Sequence, residues 1–134
     1  MRALVVLPLL LVGCSGALPG ADPRQAWVDL QATPGQLSAQ RLDEQRVEDG
    51  RYFQMPPGAH ELRLRYQYES RLGTDGFGEP RWVTCELRVR YADFAAGQRY
   101  RVQARPLALK AQAWLYDSQG QVLARGEVLR CGPI

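Results

Sequence analysis

The chain has 134 residues, with 17 basic side chains against 14 acidic ones and a formal charge of +3 at pH 7. That length gives one domain, long enough to bury a hydrophobic core without help from a metal. Nearly all the basic residues are arginine, Lys110 being the sole lysine, and the slight excess is not a nucleic-acid footprint, which needs basic charge clustered on one face.

Met1-Arg2 puts a positive charge at the start, and Ala3 to Leu11 is apolar, broken only by Pro8. The run is far shorter than the roughly 20 residues a helix needs to cross a bilayer, so it reads as a cleaved targeting segment. Leu11-Val12-Gly13-Cys14, which closes it, resembles the lipobox of bacterial lipoproteins. The resemblance implies that residues 1–13 are a signal peptide and that Cys14 becomes the acylated N-terminus, fixed to a membrane by its acyl chains (palmitate among them). Two or more chains anchor stably where one binds marginally. In Gram-negative lipoproteins an Asp after the cysteine often retains the protein at the inner membrane. Ser15 here implies transfer to the outer membrane, with the body on its periplasmic face. Residues 14–23 have linker composition and reach about 30 Å when fully extended. Residues 24–134 form the folded body.

Ala26 to Gln31, with Trp27, reads as a first strand. Gln36 to Val47 fits neither period: a short helix is one reading, and a turn at Asp43-Glu44 between two short strands is the other. Glu61 to Glu69 alternates strictly, with Leu62, Leu64, Tyr66 and Tyr68 on one face and charged or polar residues on the other. That is the period of a half-buried strand. Trp82 to Tyr91 repeats the pattern, with Val83, Cys85, Leu87, Val89 and Tyr91 on the apolar side. Gly-rich residues 71–81 join the two. Antiparallel pairing with Leu64 opposite Leu87 also sets Tyr66 against Cys85 and Leu62 against Val89. On the outer face the same register sets Arg65 against Glu86 and Glu61 against Arg90, opposite-charge pairs worth roughly 0.2–1 kcal/mol each. A slip by one residue turns an apolar face outward.

Arg99 to Arg105 gives a further strand that Pro106 ends or confines to an edge. Ala111 to Tyr116 and Gln121 to Leu129 flank Asp117-Ser118-Gln119-Gly120, which suits a type I turn with Gly120 left-handed. With Cys14 acylated, Cys85 and Cys131 remain as a pair, and an oxidising envelope compartment favours a disulfide between them over two reduced, buried thiols. Cys131 has the opposite parity to Val122, Ala124 and Val128, so the bond needs a bulge or bend, for which Gly126 is the candidate. The whole predicts an all-β fold, a small antiparallel sandwich of about seven to eight strands.

Leu37-Ser38-Ala39, Leu42-Asp43 and Val47, followed by Pro57-Gly58-Ala59-His60-Glu61-Leu62-Arg63-Leu64, resemble the PEGA-type β-module. That module runs strand, tight turn, strand, then a Pro-Gly-x-His turn into an alternating strand, and small bacterial lipoproteins carry it. The resemblance covers about a third of the chain. The sequence departs from it at Glu44, where a Gly usually follows the Asp. It implies strands over 36–47 and a small sandwich, and transfers no activity.

No nucleophile motif accompanies His60, the one histidine, which reads as a turn residue bonded to nearby backbone. One histidine and a bonded cysteine pair give too few ligands for zinc. Asp43-Glu44 and Glu48-Asp49 read as solvated turns rather than the converging carboxylates of a glycosidase. The glycine-rich run 73–78 lacks the Lys-Ser/Thr of a phosphate loop and the spacing of a calcium loop. Phe77 and Trp82 are the candidate contact residues, since an aromatic on an exposed loop can anchor a partner. The arginines could meet lipid phosphates in fork geometry or sit on solvated strand faces. The expectation is a non-enzymatic envelope lipoprotein without catalytic residues, cofactor or metal. Its partners would be the membrane and another envelope protein or cell-wall component, not nucleic acid. A ligand-binding sandwich is the alternative, marked by an apolar cavity rather than an exposed aromatic patch.

Overall fold

The hairpin at the centre of one sheet joins β5 (Gly58–Ser70) to β6 (Arg81–Phe94). Its register is the predicted one: Leu62 faces Val89, Leu64 faces Leu87, Tyr66 faces Cys85, Glu61 faces Arg90 and Arg65 faces Glu86. Strict alternation sets the inward face, and Leu62, Leu64, Tyr66, Tyr68, Val83, Cys85, Leu87 and Val89 are all buried. Burying each large one removes roughly 1.5–3 kcal/mol worth of apolar surface from water. The computed structural model describes residues 3, 5, 16–70 and 80–132. Cys14 with its lipobox, Phe77 and most of the connection between β5 and β6 lie outside the described residues.

The fold is all-β, with ten strands among the described residues in two five-stranded sheets. The remaining strands are β1 (Ala26–Ala32), β2 (Gln36–Leu42), β3 (Gln45–Arg46), β4 (Tyr52–Met55), β7 (Arg99–Leu107), β8 (Lys110–Tyr116), β9 (Val122–Arg125) and β10 (Glu127–Gly132). One sheet has the order β4-β1-β7-β8-β9 and the other β10-β6-β5-β2-β3. All neighbours are antiparallel except β1 and β7. Val28, Phe53, Met55, Val102, Ala104, Ala113 and Leu115 meet the β5–β6 residues in one core. Two tyrosines span it. The Tyr66 hydroxyl donates to the Pro34 carbonyl at 2.5 Å, and the Tyr68 hydroxyl lies 2.5 Å from the Lys110 carbonyl. Each buried ring thus has a partner for its polar tip.

Three expectations need correction. The strand count exceeds seven to eight, because 36–47 resolves into β2 and β3, the four residues of β4 add another, and the expected strand 121–129 is two. Those two, β9 and β10, belong to different sheets. Gly126 is the crossing point, not the bulge: a Cβ there would stand 2.9 Å from the Ala113 Cβ, so only glycine passes. The bulge lies between Val128 and Arg130, and its extra residue returns Cys131 to the parity that faces Cys85. Finally, β7 runs through Pro106 to Leu107. The ladder with β1 stops at Ala104, so Pro106 pairs only with Ala111 of β8 and its missing N–H interrupts no second ladder.

The turn before β9 is as predicted. Gly120 has φ 82°, its N–H donates to the Asp117 carbonyl, and the Asp117 carboxylate accepts from the Gln119 and Gln121 amides. The turn after β2 takes positive φ at both Asp43 (49°) and Glu44 (70°), a type I′ geometry without glycine.

Candidate interaction site beside the disulfide

Cys85 and Cys131 are register partners on adjacent strands, joined by a disulfide with a Cα–Cα distance of 4.1 Å. The bond fixes β10, an outer strand, to β6. Next along the ladder Gly132 faces Thr84, and Thr84 in turn faces Gln67 of β5, whose amide reaches the Thr84 hydroxyl at 3.4 Å. Gln67, Thr84, Cys131 and Gly132 floor a groove of about 660 Å³ lined also by Arg81, Trp82, Val83 and Leu109.

Trp82 is the prominent wall. Alternation points Val83 and Cys85 inward and leaves Trp82 outward, 61% exposed. Its ring also borders a second depression with Gly35, Gln36 and Gln67. Leu109, 43% exposed, comes from the other sheet. It sits in the two-residue turn between Leu107 and Lys110, where Ala108 has φ 52°. The Tyr68 hydroxyl holds that turn by the carbonyls on either side of Leu109, at 3.2 Å from Ala108 and 2.5 Å from Lys110. Burial pushes the Tyr68 phenol above its ordinary range, so it remains a neutral donor. The groove therefore joins an apolar rim, from β6 and the β7–β8 turn, to a polar floor.

Of the predicted residues, the structure brings Trp82 and the Cys85–Cys131 bond together. Leu109 was not anticipated. It is an apolar residue three positions beyond Pro106, and no local pattern says that its turn packs beside a strand of the opposite sheet.

His60 occupies a separate place at the start of β5. Its Nδ1 lies 2.5 Å from Asp43 Oδ2 and its Nε2 lies 2.6 Å from the Pro56 carbonyl. Asp43 Oδ1 also accepts the Glu61 amide at 2.8 Å. Burial opposes ionisation of Asp43, but the Glu61 N–H and the His60 ring outweigh it and hold the carboxyl below its ordinary range. With both ring nitrogens engaged, His60 works as a brace between two turns. Asp49 likewise serves its own turn, forking to Arg51 at 2.7 and 2.9 Å. Among the described residues no group of three His, Cys, Asp or Glu side chains is placed to hold a metal.

Arg51 has a further contact, donating to the Gly16 carbonyl at 2.7 Å. Pro19 borders Tyr52, Phe53 and Gln54, and the Asp22 amide donates to the Gln54 side chain. The segment before β1 thus runs beside β4.

No family model, curated protein or solved structure matches this chain. Its own residues carry the functional reading.

Proposed function

We propose that this protein is a lipid-anchored lipoprotein of the bacterial envelope, and that its sandwich is a non-enzymatic interaction module. Acyl chains on Cys14 would hold it on the periplasmic face of the outer membrane. The groove bordered by Trp82 would dock another envelope protein or a cell-wall component.

One observation carries the docking part: a tryptophan stands 61% exposed on strand β6, beside Leu109 and above a hydrogen-bonded polar floor. Tryptophan is enriched at the energetic centres of interfaces, where its large ring is desolvated on binding. An isolated water-facing tryptophan gives up that burial within its own fold. The filled space between the sheets, with Tyr66, Tyr68, Phe53 and Met55 all fully buried, favours a partner at the surface over a ligand within the sandwich.

The test is made in intact cells. Mass spectrometry of the mature protein should find the mass of the acyl chains on Cys14, and a photo-crosslinking residue at position 82 should capture one discrete envelope component. Loss of that product in Leu109→Asp, with the protein still folded, would tie it to the groove. An unmodified Cys14 in a soluble product would sink the anchor. Crosslinks no different from those at an exposed position on β9 would sink the docking surface.

A further inference from the structure

The outer face of the β5–β6 sheet contains a row that breaks the rule of its neighbours. Arg46 of β3 faces Arg41 of β2, Arg41 faces Arg63 of β5, and Arg63 faces Arg88 of β6. Four arginines stand in register across four adjacent strands. With strands about 4.8 Å apart, the row spans about 14 Å. On the rows to either side the charges alternate. Glu61 faces Arg90 and bonds it at 3.2 Å, and Glu86 lies between Arg65 and its ion-pair partner Arg130.

Like charges directly opposite on a sheet destabilise it. Within the row only Arg88 has a close acidic partner of its own, Glu127, which faces it and bonds it at 2.6 Å; Arg63 shares Glu61 with Arg90. Arg63 has a long contact of 3.5 Å to Glu61, and its buried Nε makes no hydrogen bond. Arg41 donates to the Glu44 carbonyl, a neutral acceptor. Arg46 and the adjacent Arg65 make no ion pair among the described residues. Arg41, Arg46, Arg63 and Arg65 together line a depression of about 150 Å³, with Glu86 as the single acid in its wall.

We propose that this arginine row is a binding site for ligands carrying two or more phosphate groups. Guanidinium groups offer paired N–H donors that match phosphate oxygens in fork geometry, and their charge is permanent. A row of four, held in register on adjacent strands, presents several such forks in a line and suits phosphates displayed side by side. The repulsion that Glu127 and Glu61 leave is then relieved when ligand binds. Phosphates could come from a bilayer surface or from a soluble polyphosphate, and the same guanidinium chemistry serves both. This inference stands apart from the Trp82 groove and does not depend on acylation of Cys14.

The experiment uses the full chain with Cys14→Ser, so that no acyl chain contributes to membrane binding. Inorganic tripolyphosphate is titrated by calorimetry, and sedimentation follows binding to phosphatidylcholine vesicles with and without phosphatidylglycerol. Arg41→Gln and Arg63→Gln test the row, Arg46→Gln tests it at its exposed end, and Arg125→Gln on the other sheet makes the same change in net charge. Tripolyphosphate should raise the melting temperature of the parent, and each row variant should weaken binding by about tenfold or more, as loss of a charge-assisted bond implies. Arg125→Gln should bind as the parent does. Binding of tripolyphosphate alone assigns the site to soluble polyphosphates, and binding of phosphatidylglycerol vesicles alone assigns it to a membrane surface. Each supports the proposal. Binding of neither probe, or equal weakening by Arg125→Gln and the row variants, overturns it. Tighter capture of duplex DNA through the same arginines also overturns it, since the ligand would then be a nucleic acid.

Discussion

Asp43 and His60 share a hydrogen bond of 2.5 Å that ties the turn after β2 to the first residues of β5. The same carboxylate accepts the Glu61 amide, and the same ring reaches the Pro56 carbonyl. One brace therefore fixes two turns, one of which has no glycine to ease its positive φ values. His60→Ala should lower unfolding free energy by about 2 kcal/mol, the usual effect of losing a hydrogen bond to a charged group. Asp43→Ala should do similar damage, and the double variant should be less harmful than the sum. Urea unfolding of the four proteins measures it, and simple additivity would show that the two side chains do not act as a unit.

Acid should loosen the same brace. Asp43 and Asp29 both titrate below their ordinary range in the folded protein. For Asp29 the forked bond from Arg99 is the main cause, and the Trp27 indole N–H adds to it against burial. A depressed folded value means that the unfolded chain binds the proton first. The stabilisation is therefore present above the unfolded value of about 3.9 and is lost as pH falls through the folded value. Urea midpoints should be level from neutrality to about pH 5 and fall below about pH 4. Asp43→Asn should flatten part of that fall. A wild-type midpoint that held steady to pH 2 would contradict the assignment.

The disulfide makes a larger contribution. It closes a sequence separation of 46 residues, which in the chain-entropy model gives about 4 kcal/mol. It also fixes β10, which pairs only with β6 in its sheet. Reduction, or Cys131→Ser, should lower stability by about that amount. Hydrogen exchange should rise first in β10 and next in the outer half of the pairing with β6. Unchanged exchange in β10 on reduction would show that its ladder holds without the bond.

Tyr66 gives a signal at the other end of the pH scale. Its ring is buried against both sheets and its phenol is pushed up to about 12, chiefly by burial and also by the neighbouring Tyr68. A folded value above the unfolded one near 10 means that the folded state keeps its proton longer. That stabilisation is complete below about pH 10 and disappears as pH rises towards about 12. Ultraviolet titration should show Tyr66 ionising together with alkaline unfolding, and Tyr66→Phe should lower the amplitude of that step by one phenol. A phenolate forming near pH 10 in the intact fold would contradict it.

The β5–β6 pairing was legible in the sequence because two signals agree there. Strict alternation selects the inward face, and the Glu61–Arg90 and Arg65–Glu86 pairs select one register from the several that keep that face inward. Trp82 followed from the same parity. Where a single signal worked alone, less was legible. Val122, Ala124 and Val128 keep one parity across Gly126, so nothing local announces that the chain changes sheets there. The arginine row needs the β2–β5 register, and that register shifts by one residue between Ala39 and Arg41. Alternation counted along β2 therefore does not place Arg41 opposite Arg63. The groove needs Leu109, which reaches it through the packing of two sheets. Long-range packing, not propensity, decides such features.

Gly35 offers the sharpest test of the turn that leads from β1 into β2. Its φ is +93°, in the region that side chains rarely adopt, and a Cβ there would stand 2.2 Å from the Gln67 carbonyl oxygen. That oxygen belongs to β5 backbone, so it cannot swing aside as a flexible side chain would. The preceding carbonyl of Pro34 also accepts the Tyr66 hydroxyl. A shift of the turn would thus strip a buried phenol of its partner as well as strain the backbone. Gly35→Ala combines all three effects and should lower stability by about 3 kcal/mol or more, well above the usual effect of a surface-turn substitution. Gly16→Ala, with nothing within 4 Å of the added atom, is the control and should be neutral. Thermal melts of the two variants decide it: equal melting temperatures would show that the β1–β2 turn yields without disturbing β5.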